Sequence, residues 1–440
     1  MLASIGAKTT EELFEPIPGS LKLNRLLNLP PALSEQEVLG HLEDLAGKNK
    51  LSGELSFLGA GAYRRYIPSV VDMVIQRSEF MTAYTPYQPE VSQGTLQTIF
   101  EFQSLICNLT GMDVANASVY DGGCAAVDAV FMALSITGRK KVAVSAGVHP
   151  QTLELLRTYI SHQVGELTVL PLKDGATQLT GLDDETACVI FQEPNFLGII
   201  EDGPALCRQI AEAGALSVVA VGDPVSLSVL KRPGDFPADI AVGDAQAIGL
   251  PPSFGGPYAG FVACKKAHMR RIPGRLCGIT VDTQGRRAYC LTLQAREQHI
   301  RRDKAFSNIC TNQGLCALAV TVYLALLGPQ GLREIANTCV GLAQYFKKKV
   351  QELPGYSLAF SKAASFHEVL VHCPAGAKAT QDALLKQGIL AGYSVGIHLP
   401  EYRDHLLFCF TETNSLRSVD QLLLALSQVA VSRPLEGARA

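Results

Sequence analysis

Tryptophan is missing from all 440 residues, and none of the 12 cysteines forms a CxxC pair. Thiols scattered singly from Cys107 to Cys409 argue against a zinc site and, in a chain this long, against a disulfide framework. They are expected to be small buried hydrophobes. An excess of one charge is lacking too: a formal net charge of −3 gives no reason to expect nucleic acid or anionic lipid as a partner. No run of about 18 apolar residues stands out, so no membrane span is expected. The opening MLASIGAKTTEELFEPIP carries acids where a secretory leader would be apolar. His149, His162, His299, His367 and His372 stand alone without ligand spacing, so no metal site is expected and they read as structural or surface residues. What is present is a 47% hydrophobic, 18% charged chain, ordinary for a folded protein and expected in the cytoplasm. Its length exceeds one typical core.

Residues 1–55 read as an N-terminal helical arm, with capping patterns at Thr9-Thr10-Glu11-Glu12 and Ser34-Glu35-Gln36-Glu37. An arm without a strong core of its own must dock on this chain or on a partner. From residue 56 strands alternate with helices. KVAVSA (141–146), LTVLPL (167–172), ACVIFQ (187–192) and LSVVAVG (216–222) read as buried parallel strands, with helices at 149–161 and 203–213 between them. This predicts an α/β fold, a mostly parallel sheet flanked by helices, over 56–328. The apolar helix 314–328 should stop at Gly328-Pro329. Beyond it, 329–440 reads as a smaller C-terminal α/β domain, closed by a helix from Asp420 to Val431.

A second absence is more pointed. ADIAVGDAQAIGLPPSFGGPYAGFVA (238–263) has the strand–turn–strand shape that holds a cofactor lysine, and it contains no lysine. Asp223 ends a buried strand pattern, and Gln246 follows it by 23 residues. An Asp and a Lys at about this separation hold the ring nitrogen and the aldehyde of pyridoxal phosphate (PLP) in many enzymes. The chain thus reads as a PLP-dependent transferase of fold type I without its covalent handle.

Three further motifs carry polar chemistry. In YDGGCAAVDAVFMAL (120–134) two glycines open a helix, which makes either an anion cradle or a tight turn before a core helix; no Walker lysine follows. In MTAYTPYQPEVSQG the backbone is broken around Tyr84, Thr85, Tyr87, Gln88, Glu90, Ser92 and Gln93. That gives either a rigid binding loop or a surface loop capped by Ser92. Before it lies the Gly-rich FLGAGAYRRYIPSVV, with Tyr63, Arg64 and Arg65. In REQHIRRDKAFSNICTNQG the charges fit a solvated helix face, but the polar tail runs straight into an apolar helix and should lie near the interior.

Taken together, TPYQPEVSQG, GAGAYRRYIPSVV, IRRDKAFSNICTNQ and FGGPYAGF resemble the glycine decarboxylase P-protein of the glycine cleavage system, over nearly the whole chain. The likeness is to its N-terminal half, which in some bacteria and archaea is a separate subunit 1. The resemblance implies a complex that decarboxylates glycine on PLP and passes the aminomethyl group to the lipoyl arm of H-protein. PLP is then expected on the lysine-bearing subunit 2, none is expected bound by this chain, and Asp223 and the 120–126 turn become relics of an empty pocket. It also implies a two-plus-two heterotetramer. Across the subunit interface Tyr84, Thr85, Tyr87, Glu90, Ser92, Gln93, Asn308, Thr311 and Asn312 are the candidate contributors. Two other readings stay open: a scaffold that adds no active-site group, and a self-sufficient enzyme using Lys265 or Lys266.

Overall fold

The computed structural model describes residues 1–49, 55–160, 164–305 and 307–431. Ser161 and His162, which the sequence placed at a helix end and among the lone histidines, lie outside them. Contacts divide the chain into Met1–Gly53 and Glu54–Ala440.

The first unit holds three short 3-10 turns and one helix, α1 (Glu35–Ala46). α1 starts where the sequence places it. Ser34 N–H donates to Glu37 Oε2 at 2.8 Å, and Glu37 N–H donates back to Ser34 Oγ at 3.4 Å. The other cap is not made: the turn Glu11–Phe14 has no side-chain cap, and Thr10 donates to the Glu11 carboxylate instead. None of the described arm residues is buried, so the arm builds no core of its own.

The second unit is organised by a seven-stranded sheet: β1 (Val114–Ala115), β2 (Lys141–Ser145), β3 (Glu166–Leu170), β4 (Thr186–Glu193), β5 (Leu216–Val221), β6 (Ile240–Asp244) and β7 (Gly260–Cys264). The order is β1-β7-β6-β5-β4-β2-β3. Strands β6, β5, β4, β2 and β3 pair in parallel, and β7 is antiparallel to both neighbours. Successive residues face opposite sides: Val142 and Val144 join one core cluster with Ile190 and Val218, while Ala143 joins the other with Val189 and Val219. The strands read as continuous apolar runs because helices cover both faces. β3 departs from that reading. It is the sheet edge, and of its five residues only Leu170 is buried.

The flanking helices are α2 (Gln93–Thr110), α3 (Gly122–Thr137), α4 (Pro150–Ile160) and α5 (Gly203–Glu212). Asp202 starts α5 by accepting from the Ala205 N–H at 3.1 Å. A hairpin of β8 (Leu276–Val281) and β9 (Arg287–Thr292) lies against α2. Next comes α6 (Gly314–Val350), which by length and composition is apolar enough to cross a membrane, contrary to the sequence expectation. Gly328 breaks it with φ 59° and ψ −175°. The unbroken apolar part therefore spans only about 21 Å at 1.5 Å per residue, short of the ~30 Å hydrocarbon core. Ala317, Val320, Tyr323 and Leu324 are packed in the protein core. Gly328 is thus where the apolar helix stops and a second helical segment begins, as the sequence reads.

The C-terminal sheet comprises β10 (Ser357–Leu358), β11 (Glu368–His372), β12 (Tyr393–Ser394) and β13 (His405–Cys409), in the order β10-β11-β13-β12. It is flanked by α7 (Ala377–Leu385) and α8 (Leu416–Val431). Phe57 belongs to this core, and Leu55–Ser56 pairs in parallel with Ile389–Leu390. All cysteines are unpaired; Cys310 alone is exposed, in a loop.

Candidate functional site

In an open parallel sheet the place for chemistry is the carboxyl end of the strands. Asp223 follows β5 there and Gln246 follows β6, and both are 1% exposed. The space between them is filled by the chain itself. Arg65 makes an ion pair with Asp223, and its second terminal nitrogen donates to Glu412 Oε2 at 2.7 Å. His367 Nε2 lies 2.7 Å from the same Asp223 oxygen, and the Val225 N–H donates to the other at 2.9 Å. Burial pushes the Asp223 carboxyl up. Arg65, then His367, then that N–H outweigh it and bring the carboxyl down to about 2.

Gln246 is clamped just as tightly. Its Oε1 accepts from Tyr63 N–H at 2.8 Å, and its Nε2 donates to the carbonyls of Tyr63 at 2.9 Å and Leu250 at 2.8 Å. Tyr63 OH reaches Glu368 at 3.0 Å. The segment bends into place at Gly61, where φ is +98° and an added Cβ would lie 2.8 Å from the His149 ring. His149 in turn holds the Ala60 carbonyl at 2.9 Å. Among Tyr63, Gly222, Asp223 and His367 there is no room for one water molecule.

These residues do not fit PLP. An aromatic ring over Asp223 would have to displace Tyr63 and Arg65, and no amine is near. The anion cradle is also taken: Asp121 accepts from Cys124 N–H at 2.7 Å, and Asp244 accepts from Gly122 N–H at 2.9 Å. The free N–H groups expected at the start of α3 are met by the chain's own carboxylates. Lys265 is no substitute, since it follows the antiparallel β7 at the opposite end of the strands, beside the start of β6, and is paired with Asp239 at 2.7 Å. Gln246→Lys alone is therefore expected to leave the purified chain colourless with added PLP and without a borohydride-stable adduct. It should lower stability by about 1–3 kcal/mol, because two backbone groups of Tyr63 lose their partner in a buried site. Absorbance and a urea midpoint check both.

The polar loop is organised by a residue the sequence reading missed. Arg275 is 1% exposed. Its Nη1 donates to Thr311 Oγ1 at 2.7 Å, with Thr85 Oγ1 and Asn312 Oδ1 each at 3.5 Å. Its Nη2 donates to the Cys310 carbonyl at 2.7 Å and to Tyr87 OH at 3.2 Å. The guanidinium also sits 5.3 Å from the Tyr87 ring centroid, and its Nε is 3.8 Å from Glu297. Burial raises the Glu297 carboxyl, opposed by Arg275, His299 and Arg296. One guanidinium thus joins the second and third motifs. The available signal was Arg275 itself, a lone charge between the Pro273-Gly274 turn and the apolar start of β8.

Of the expected site residues, the structure brings Thr85, Tyr87, Thr311 and Asn312 together around Arg275. Gln93 lies beside them but serves the backbone: it accepts from Tyr289 N–H at 2.9 Å and donates to the Tyr289 carbonyl at 2.9 Å and the Pro89 carbonyl at 2.7 Å. Gln103, farther along α2, clamps Cys277 of β8 in the same way. Tyr84, 87% exposed, and Glu90 point to solvent. Ser92 precedes α2 without making a side-chain cap. Asn308 stands apart, exposed, at a separate cavity. His367, read as structural or surface, is buried on Asp223.

Comparison with known proteins places this geometry. Residues 1–426 match the family model of the glycine cleavage system P-protein. The chain is 48% identical over 435 residues to the probable glycine dehydrogenase (decarboxylating) subunit 1 of Desulforamulus reducens, covering 98% of this chain and 97% of that protein. It is 50% identical over 430 residues to the protein of the same name from Moorella thermoacetica, covering 97% and 96%. A crystal structure of glycine decarboxylase (P-protein) of the glycine cleavage system, in inhibitor-bound form, superposes with a TM-score of 0.90 at 45% identity, covering 98% of this chain and 97% of that one. A Burkholderia pseudomallei sphingosine-1-phosphate lyase, 14% identical with a TM-score of 0.67 and 94% coverage of each chain, shares the fold alone.

Proposed function

The chain belongs to the glycine cleavage system P-protein family, and from that premise we propose that it acts as subunit 1 of a glycine dehydrogenase (decarboxylating), completed by a lysine-bearing subunit 2. The observation that carries this reading is the closed position between Asp223 and Gln246, where Arg65, Tyr63 and His367 stand in place of a cofactor. A chain related along its whole length to proteins named as subunit 1, with that position packed shut, needs a partner to hold PLP. Held by the partner, PLP would supply the electron sink for loss of the glycine carboxylate. The aminomethyl group then goes to the lipoyl arm of H-protein. A two-plus-two heterotetramer in the cytoplasm accords with this reading.

What this chain adds is a polar, aromatic surface held from beneath. Arg275 fixes Tyr87, Thr85 and Thr311 from a buried position. Tyr84 and Glu90 project beyond them, free to meet a partner. There the tyrosines would stack or hydrogen-bond at the cofactor, and Glu90 would position an amine or a proton.

In the reconstituted pair, Tyr84→Ala and Glu90→Gln should each lower glycine-dependent turnover at least about tenfold while the complex still assembles on gel filtration. Unchanged turnover with intact assembly would leave this chain a scaffold. The purified chain alone should take up no PLP; a yellow, borohydride-reducible protein would overturn the division of labour.

A further inference from the structure

A cavity of about 330 Å³ lies between the outer face of α3, Tyr159 of α4 and the 298–309 segment. It is far from closed packing, having room for on the order of ten waters. Its floor is Asp128, in the middle of α3, where the chain would ordinarily place an apolar residue. The side chain is 5% exposed and its Oδ2 has no hydrogen-bond partner. Burial raises this carboxyl to about 7, and only Ser307 eases it. A buried carboxyl with one oxygen left unpartnered is costly and uncommon, so the group is either a defect or half of a binding site.

The walls favour the second. Tyr120, Phe131 and Tyr159 surround the opening, with the Phe131 and Tyr159 rings edge-on at 6.2 Å. Aromatic faces beside a carboxyl suit an ammonium group, which brings three donors and gains from the ring quadrupoles. At the rim stands Arg302, exposed and held at φ 55°, a conformation rare for a non-glycine residue. It joins no ion pair among the described residues, and a guanidinium so placed suits a carboxylate. Asn308 adds an amide to the same wall. A negative floor, a positive rim and aromatic sides are the complement of a small zwitterion.

We propose that this cavity binds a small α-amino acid, its ammonium group on Asp128 and its carboxylate on Arg302. The site is made wholly from this chain and stands whether or not the subunit reading does. The test is equilibrium dialysis of the purified full-length chain, without partner or PLP, against radiolabelled glycine and alanine, with ethylamine and acetate as competitors. One saturable site per chain is expected. Binding should weaken at least about tenfold in Asp128→Asn and in Arg302→Gln. Neither ethylamine nor acetate should compete as well as unlabelled glycine. Asp128→Asn keeps the shape of the side chain and removes an unpartnered charge, so its unliganded melting temperature at pH 8 should hold or rise. Arg302→Gln changes an exposed residue and gives a second folded variant. The proposal is overturned by no saturable binding, by wild-type affinity in both variants, or by ethylamine competing as well as glycine. The last would make the cavity a socket for a basic side chain.

Discussion

Arg275→Met should remove glycine-dependent turnover from the reconstituted complex and cost the chain about 3–5 kcal/mol of stability, the range for removing one partner of a buried ion pair. The guanidinium is fully buried and makes hydrogen bonds to Thr311, Cys310 and Tyr87. Methionine fills most of the volume and supplies no donor. It would take from the buried Glu297 carboxyl the guanidinium 3.8 Å away, and leave the Tyr87 ring without the charge beneath it. The loop at 84–90 and the 310–312 segment are then no longer tied to one point, and displacement of about 1 Å in a positioned group can cost ~100-fold in rate. Arg275→Lys restores charge but not the planar fork that serves two segments at once. It should recover part of the stability, as a higher urea midpoint than Arg275→Met, while turnover stays low. Equal turnover for wild type and Arg275→Lys would show that charge alone matters there.

Arg65→Met should be comparably damaging for a different reason. It would strip Asp223 of its main counter-charge and leave Glu412 with the Tyr66 N–H but no cation, again at about 3–5 kcal/mol. The same site sets a dependence on acid. The folded Asp223 carboxyl, at about 2, lies below the ordinary value near 3.9. Its contribution is therefore fully present above about pH 4 and is lost as pH falls toward 2, amounting to about 2.5 kcal/mol for a shift of this size. Asp223→Asn should start less stable at pH 7, because Arg65 keeps its charge and loses its partner, yet fall off less steeply between pH 4 and 2. Urea midpoints across that window measure the difference, and parallel slopes would place the acid sensitivity elsewhere.

Much of the architecture was legible because it rests on patterns of local origin. Apolar, β-branched runs between helical stretches placed β2, β4 and β5 closely, since a strand covered on both faces must be apolar throughout. Ser34 and Glu37 announced α1 because a capping box is satisfied within four residues. The absent lysine at Gln246 was visible for the same reason: its separation from Asp223 is a property of consecutive strand ends. The Gly328-Pro329 stop, with a new helix after it, was legible because both residues act locally. The edge was less legible. β3 has the composition of a central strand, and only sheet order makes it an edge.

By itself, the sequence determined the alternation of strand and helix, the absence of a lysine from 238–263, and the polar segments at 84–93 and 308–312. Only the tertiary structure decided that Arg65, 158 residues from Asp223, would become its buried ion-pair partner. It also decided that His367, read as an ordinary histidine, would join that pair, and that Arg275 would gather two distant motifs while Asn308 faced another cavity. The physical reason is the same in each case. A buried charge must find its partner wherever the fold brings one, and neither spacing nor periodicity along the chain carries that information.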